Sequence, residues 1–223
     1  LGSHSDAILR GRCGKNVAIL RTWGHVRDNA ARLFSARRPA SGSLNHSDHV
    51  GLIHDGVGPA GSRWADLGAG QGAFTLALAD LLGPGGQVTA IDRDGGALRQ
   101  LSSDLRERFP GTPLDTLTAD FTRDLRLTDL DGVVMANALH FVRDRDKPAV
   151  LNRVRAMLRP GGRVVLVEYG ADRGNLWVPH PFTCPRWEEM PGAAGLADRG
   201  ETFGIVRKLL GSIYAAVSER PHS

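Results

Sequence analysis

From residue 63 onward, short apolar runs alternate with longer stretches whose apolar positions recur every three or four residues. The first kind of pattern predicts strands over residues 63–67, 87–91, 114–118, 131–136 and 163–169. The second predicts helices over 71–82, 95–108 and 145–158. Gly83-Pro84-Gly85-Gly86, Pro110 and Pro160-Gly161-Gly162 stop those helices, because proline cannot continue one and glycine favours leaving it. Residues 183–196 read as a further helix, and 201–207 with 212–218 as two strands joined by a turn near Gly211. Strand–helix alternation implies a parallel sheet with helices on both faces. The closing hairpin implies a last strand antiparallel to the rest. Upstream, Leu20, Trp23, Val26, Ala30 and Leu33 make a helical stripe over 16–34 with arginines opposite. Residues 35–47 read as a linker, followed by a short helix capped by Ser47 and reaching about Asp55. The expected division is a basic helical extension, residues 1–43, and one α/β domain, residues 44–223.

Composition narrows the class. At 223 residues, 41% hydrophobic and 23% charged, the chain can bury a self-sufficient core, so wholesale disorder and a disulfide-held mini-protein are excluded. No apolar stretch approaches the ~18 residues of a spanning helix, and no secretory pattern stands at the start. The net charge of +4 invites a nucleic-acid reading. Residues 1–43, however, hold eight Arg/Lys and two Asp, a net of +6, which leaves −2 for the other 180 residues. The basicity belongs to the extension, and nucleic acid is not the expected partner of the body. Only three of the 28 basic residues are Lys, so the arginine excess is also explicable as overall composition. Cys13 and Cys184 form no Cys-x-x-Cys pair, which argues against a cysteine zinc site and for a reducing, cytoplasmic setting. His46, His49 and His54 stand three and five apart, poor spacing for a metal site, and no metal is expected.

The chemistry concentrates in Asp66-Leu67-Gly68-Ala69-Gly70-Gln71-Gly72, between the first strand of the alternating unit and its helix. Glycines at 68, 70 and 72 allow a sharp turn and close approach of backbone to a ligand. The helix N-terminus that follows offers unpaired N–H groups. Asp92, 20 residues past Gly72 and at the second strand's end, is placed to accept ribose hydroxyls. Asp120-Phe121 follows the third strand, where a carboxylate can take an adenine amino group while the ring packs on its face. Leu158-Arg159-Pro160-Gly161-Gly162 feeds the fifth strand, which ends Val167-Glu168.

At these residues the chain resembles the class I S-adenosylmethionine-dependent methyltransferases, over about residues 45–218, with turn motifs similar to those of quinone-biosynthesis methyltransferases. The resemblance implies a Rossmann-like three-layer sandwich with a seven-stranded sheet, six strands parallel and the last antiparallel. It implies S-adenosylmethionine as cofactor, lying across the carboxyl ends of the first strands. By position, Gly68, Ala69, Gly70 and Gly72 would line its methionine and ribose portion, with Asp66 below the loop. Asp92 would hold the ribose with Arg93 beside the adenine, Asp120 and Phe121 would contact the adenine, and Asn137 would face the amino-acid end. The chain departs from the base-modifying members: Ala136-Asn137-Ala138-Leu139-His140-Phe141 contains neither a Pro-Pro-aromatic device nor a Pro-Cys. The stretch from Phe121 to Asp131 is too short for a full helix, so a loop is expected there.

Transfer from a sulfonium needs mainly alignment and exclusion of water, with a base only where the acceptor must lose a proton. His140, just past the fourth strand, is the candidate base. Tyr169 and Glu168 end the fifth strand at the same edge, Glu168 with the alternative of accepting backbone hydrogen bonds. Trp177-Val178-Pro179-His180-Pro181-Phe182 either walls an acceptor pocket or is a stiff connection. The helix beginning near Ser47 is expected to cover the cofactor, with His49 against it. The expected partner is a small-molecule acceptor; a homodimer is left open. The alternatives are an NAD(P)-dependent oxidoreductase on a six-stranded parallel sheet and a non-catalytic nucleic-acid or partner-binding protein that uses its basic extension.

Overall fold

The computed structural model describes residues 8–11, 44–207 and 211–222. Its strands are β1 (Ile8–Gly11), β2 (Arg63–Leu67), β3 (Gln87–Asp92), β4 (Leu114–Thr118), β5 (Leu130–Ala136), β6 (Leu158–Gly170), β7 (Ala197–Arg207) and β8 (Gly211–Glu219). Its helices are α1 (His46–Ile53), α2 (Ala73–Leu82), α3 (Gly95–Arg108), α4 (Lys147–Met157) and α5 (Cys184–Ala193). One sheet holds all the strands in the order β1-β7-β8-β6-β5-β2-β3-β4. Strands β2 to β6 pair in parallel, and β8 is antiparallel to both β6 and β7. That insertion excludes the all-parallel sheet of the oxidoreductase alternative.

The sheet has eight strands, not the seven expected. Ile8–Gly11 pairs antiparallel with the outer edge of β7, Leu9 opposite Gly204. An edge strand offers unpaired N–H and C=O groups, and a short segment can satisfy them wherever the chain brings it near. The helix expected over 16–34 lies outside the described residues.

The inner strands carry continuous apolar runs because both faces are covered. Side chains alternate between faces, so one strand feeds two cores. Val133, Met135, Val164, Leu166, Tyr214 and Ala216 pack with α4 and α5 on one face. Val134, Val165, Val167, Ala215 and Val217 pack with Trp64, α1 and α2 on the other. Gly132 on β5 makes room for the Trp64 indole: a Cβ there would lie 2.2 Å from its ring.

Local chemistry sets the ends. Asn45, not Ser47, caps α1: its side chain accepts from the Asp48 N–H, and Asp48 accepts from the Asn45 N–H. The reciprocal arrangement satisfies two donors, where Ser47, inside the first turn, could satisfy none as a cap. Asp94 caps α3 through Gly96 and Ala97. Residues 119–129 contain no helix, as their length predicts. The turn before the fifth strand of the alternating unit is drawn into β6, because Gly161 and Gly162 exchange backbone hydrogen bonds with Arg220. Cys184, at the start of α5, is disulfide-bonded, against the reduced thiols implied by a reducing setting; Cys13 lies outside the described residues. No helix among the described residues is long and apolar enough to cross a membrane.

Candidate active site

Parallel packing brings the carboxyl ends of β2 to β5 to one edge, and the glycine loop forms there between β2 and α2. Gly68, Gly70 and Gly72 have φ of +82°, +52° and +83°, the left-handed region. At Gly68 and Gly72 close packing adds to the demand: a Cβ would lie 2.7 Å from Ala138 and 2.1 Å from Leu101. Gly68 and Ala69 donate to the Ile91 carbonyl at 2.8 and 3.0 Å, which fastens the loop to the end of β3. Gly72 caps α2 with no side-chain partner for the helix's first N–H groups.

Asp92 accepts from the Gly70 N–H at 2.8 Å through one oxygen and from the Asp94 N–H at 2.9 Å through the other. It joins the glycine loop to the turn after β3. Asp66 lies beneath the loop and is buried. It accepts from the Thr75 hydroxyl at 2.7 Å, so it ties β2 to α2. Burial pushes its pKa up to about 6, only partly opposed by Thr75. Asp120 accepts from the Thr122 N–H and hydroxyl at 2.9 and 2.7 Å and forms an ion pair with Arg93. Partial burial raises its pKa, but the Thr122 hydrogen bonds and Arg93 outweigh that and hold it below the usual carboxylate range.

Gly68, Asp92, Arg93, Phe121 and Asn137 line one cleft of about 710 Å³, shared with Thr122, Arg123, Ala138, Phe141 and the first turns of α4. Ala69, Gly70 and Gly72 form the loop behind that wall, Asp120 sits beside it on Arg93, and Asp66 lies underneath. Asn137 is held at φ +50°, its N–H donating to Val167 at 2.8 Å. Its side-chain oxygen is buried and has no hydrogen-bond partner. A strained backbone beside an unsatisfied acceptor is costly unless a ligand donor completes it.

His140 stands in a single 3₁₀ turn, Leu139–Phe141, and is buried with Glu168. Its Nδ1 lies 2.7 Å from one Glu168 oxygen, and its backbone N–H donates to the other at 3.1 Å. The expected backbone hydrogen bond to Glu168 is present, and the same carboxylate also meets the His140 ring. The His140 ring lies 4.3 Å from that of Phe141, which lines the cleft, and 6.2 Å from that of Tyr169. Burial, then the charge of Glu168, raises the Tyr169 pKa and keeps it a phenol.

The aromatic loop after β6 stands apart from the cleft wall. Trp177 is 79% exposed, while Phe182 is buried. The Lys147 ammonium donates to the Asp144 carboxylate at 2.6 Å and to the His180 carbonyl at 2.8 Å, and lies 4.4 Å from the Phe182 ring centroid. Burial lowers the Lys147 pKa, with Asp144 opposing. The three histidines around α1 diverge: His46 meets Asp80, His49 packs edge-on to Phe74, and His54 meets Asp55. Sequence reasoning missed Lys147 and the cleft arginines Arg123, Arg143 and Arg153. A signal existed for the last, since Asp146, Ala149, Val150 and Arg153 share one helical face by their spacing.

Residues 65–162 match the sequence model of a family described as a methyltransferase domain. The chain is 28% identical over 144 residues to the carboxy-S-adenosyl-L-methionine synthase of Shewanella loihica, covering 63% of this chain and 59% of that protein. It is 26% identical over 169 residues to the synthase of the same name from Klebsiella pneumoniae, covering 74% and 66%. The chain thus spans less than two thirds of the length of these relatives. Among solved structures it resembles the Burkholderia thailandensis 1,6-didemethyltoxoflavin-N1-methyltransferase with bound 1,6-didemethyltoxoflavin and S-adenosylhomocysteine. The TM-score is 0.66 at 20% identity, over 79% of this chain and 78% of that one. A SAM-dependent methyltransferase from Methanosarcina mazei gives a TM-score of 0.60 at 18% identity, over 77% and 98%. The glycine loop, the strand order and the matched segment agree: residues 65–162 are similar to a methyltransferase domain, and the chain has the Rossmann-like α/β fold of the solved methyltransferases it resembles.

Proposed function

We propose that the protein is an S-adenosylmethionine-dependent methyltransferase that acts on a small-molecule acceptor. The observation that carries this reading is the buried, unpartnered Asn137 oxygen on a strained backbone, in the cleft that Asp92 and Gly68 also line. An ammonium group is the donor that would satisfy it, and S-adenosylmethionine carries one at its amino-acid end. Asp92 accepts the ribose hydroxyls, in exchange or in addition to its backbone donors. Phe121 packs against the adenine. Asp120 has three of its roughly four acceptor positions used and one left for the adenine amino group. When bound, the cofactor supplies a methyl group already activated on a sulfonium.

The chain's own work is alignment and, where the acceptor is acidic, proton removal. Glu168 accepts from His140 Nδ1–H and fixes that tautomer, which leaves the Nε2 lone pair to take a proton. Tyr169, kept protonated, is a donor at the same edge. Calorimetric titration with S-adenosylhomocysteine tests the binding reading; folded protein that gives no binding at high micromolar ligand overturns it.

A second reading is favoured by the curated relatives, whose name makes a carboxylated S-adenosylmethionine their product. Mass spectrometry separates the two. Methylated acceptor with S-adenosylhomocysteine supports methyl transfer, and carboxylated nucleoside supports the second reading.

A further inference from the structure

The cleft continues past the nucleoside-binding loop to α4, and its lining is charged unevenly. Four arginines face it, Arg93, Arg123, Arg143 and Arg153, against two carboxylates, Asp92 and Asp146. Asp92 is committed to the Gly70 and Asp94 N–H groups. The Asp146 carboxylate lies 3.8 Å from Arg145, outside the lining. Arg93 is paired with Asp120, and Arg153 donates to the Ala149 carbonyl. Among the described residues, the Arg123 and Arg143 guanidiniums have no carboxylate partner and no hydrogen-bond partner. These two stand on different segments, one after β4 and one before α4, yet line the same space as the rings of Phe121 and Phe141. Phe141 is 61% exposed, so its face is open.

The formal charge of this lining is +2. S-adenosylmethionine adds a sulfonium and an ammonium against one carboxylate, a further +1. Like charges confined together repel unless an anion joins them. Guanidinium forks take carboxylate or phosphate oxygens in bidentate fashion, and aromatic faces take a planar ring. We propose that the cleft binds an aromatic oxyanion, a carboxylate or phosphate on a flat ring, held by Arg123 and Arg143 against the open face of Phe141. On the methyltransferase reading this ligand is the acceptor, and the inference rests on that reading for that role alone.

The test uses benzoate, phenyl phosphate and the neutral benzamide as probes, each titrated into the full chain with and without S-adenosylhomocysteine. The expected result is that one or both oxyanions bind about tenfold or more tightly than benzamide, the scale of hydrogen bonds to charged groups. The tighter of the two names the oxyanion. In the exposed double variant Arg123→Gln/Arg143→Gln that preference disappears, while Arg106→Gln, on the outer face of α3, retains it. Equal binding of the three probes overturns the proposal, as does a preference that survives the double variant. So does binding of a single-stranded RNA oligonucleotide with no binding of the small oxyanions. Binding of S-adenosylhomocysteine without oxyanion preference overturns this inference and leaves the methyltransferase reading standing. Oxyanion preference without S-adenosylhomocysteine binding does the reverse.

Discussion

At the residue scale the three sheet-edge aspartates have separate tasks. Asp92 lines the cleft and Asp120 holds Arg93 beside it, while Asp66 serves the scaffold, held by Thr75 under the loop. The raised Asp66 pKa has a pH consequence. A carboxyl whose folded-state pKa exceeds its unfolded value binds its proton more tightly when folded. Its contribution is therefore fully present below about pH 4 and is lost as pH rises through about 6. Asp66→Asn keeps an acceptor for Thr75 and removes the charge. In urea melts, the stability difference between wild type and this variant should shift by about 1–3 kcal/mol against wild type from pH 4 to pH 7. A flat difference would show that folding does not raise the Asp66 pKa. Asp92→Ala removes the acceptor for Gly70 as well as the proposed ribose contact. Calorimetry should show S-adenosylhomocysteine binding weakened by about 1–3 kcal/mol; unchanged affinity would remove Asp92 from the site.

The element that matters most is the loop between β2 and α2, where neighbouring glycines answer different demands. Gly72 sits in left-handed backbone with Leu101 against it, whereas nothing lies within 4 Å of a Cβ built at Gly70. Gly72→Ala should therefore destabilise the fold by about 2–4 kcal/mol, from strain plus overpacking, seen as a fall in the urea midpoint. Gly70→Ala carries the strain alone, about 1 kcal/mol, and should act chiefly on ligand affinity. Equal losses of stability would contradict this division. The glycines were legible as a loop from their spacing. Which of them is crowded depended on α3, whose Leu101 is distant in sequence. The α1 cap shows the same limit on a smaller scale: the sequence reading puts it at Ser47, and the reciprocal hydrogen bonds with Asp48 put it at Asn45.

At the scale of the whole molecule, Lys147 ties the loop after β6 to α4. It is fully buried, and its ammonium meets Asp144, the His180 carbonyl and the Phe182 face. Lys147→Met keeps the bulk and leaves Asp144 with Arg186. The His180 carbonyl then loses its donor. Stability should fall by about 1–2 kcal/mol, and trypsin should cleave more readily after Arg173 in the loosened loop. Unchanged cleavage would mean that Tyr214, which donates to the Phe182 carbonyl at 3.1 Å, holds the loop unaided. The sheet also gains its edge strand β1 at this scale, which no local pattern announced: four residues pair with β7 across nearly two hundred positions.

Local and periodic features settled much of this protein before any contact was known. Alternating periods placed β2 to β6 and α2 to α4, the closing hairpin set the reversed strand, and Gly68, Asp92 and Asn137, singled out in the sequence, line one cleft. Such features are readable because backbone conformation and side-chain face depend on neighbours a few residues away. Tertiary structure alone decided that Glu168 meets His140, that Asp66 takes Thr75 as its partner, and that Arg123 and Arg143 share a cleft. Those pairings join residues on different segments of the chain. A charged side chain's role there follows from which partner the fold leaves within hydrogen-bond reach, and from how much water it removes.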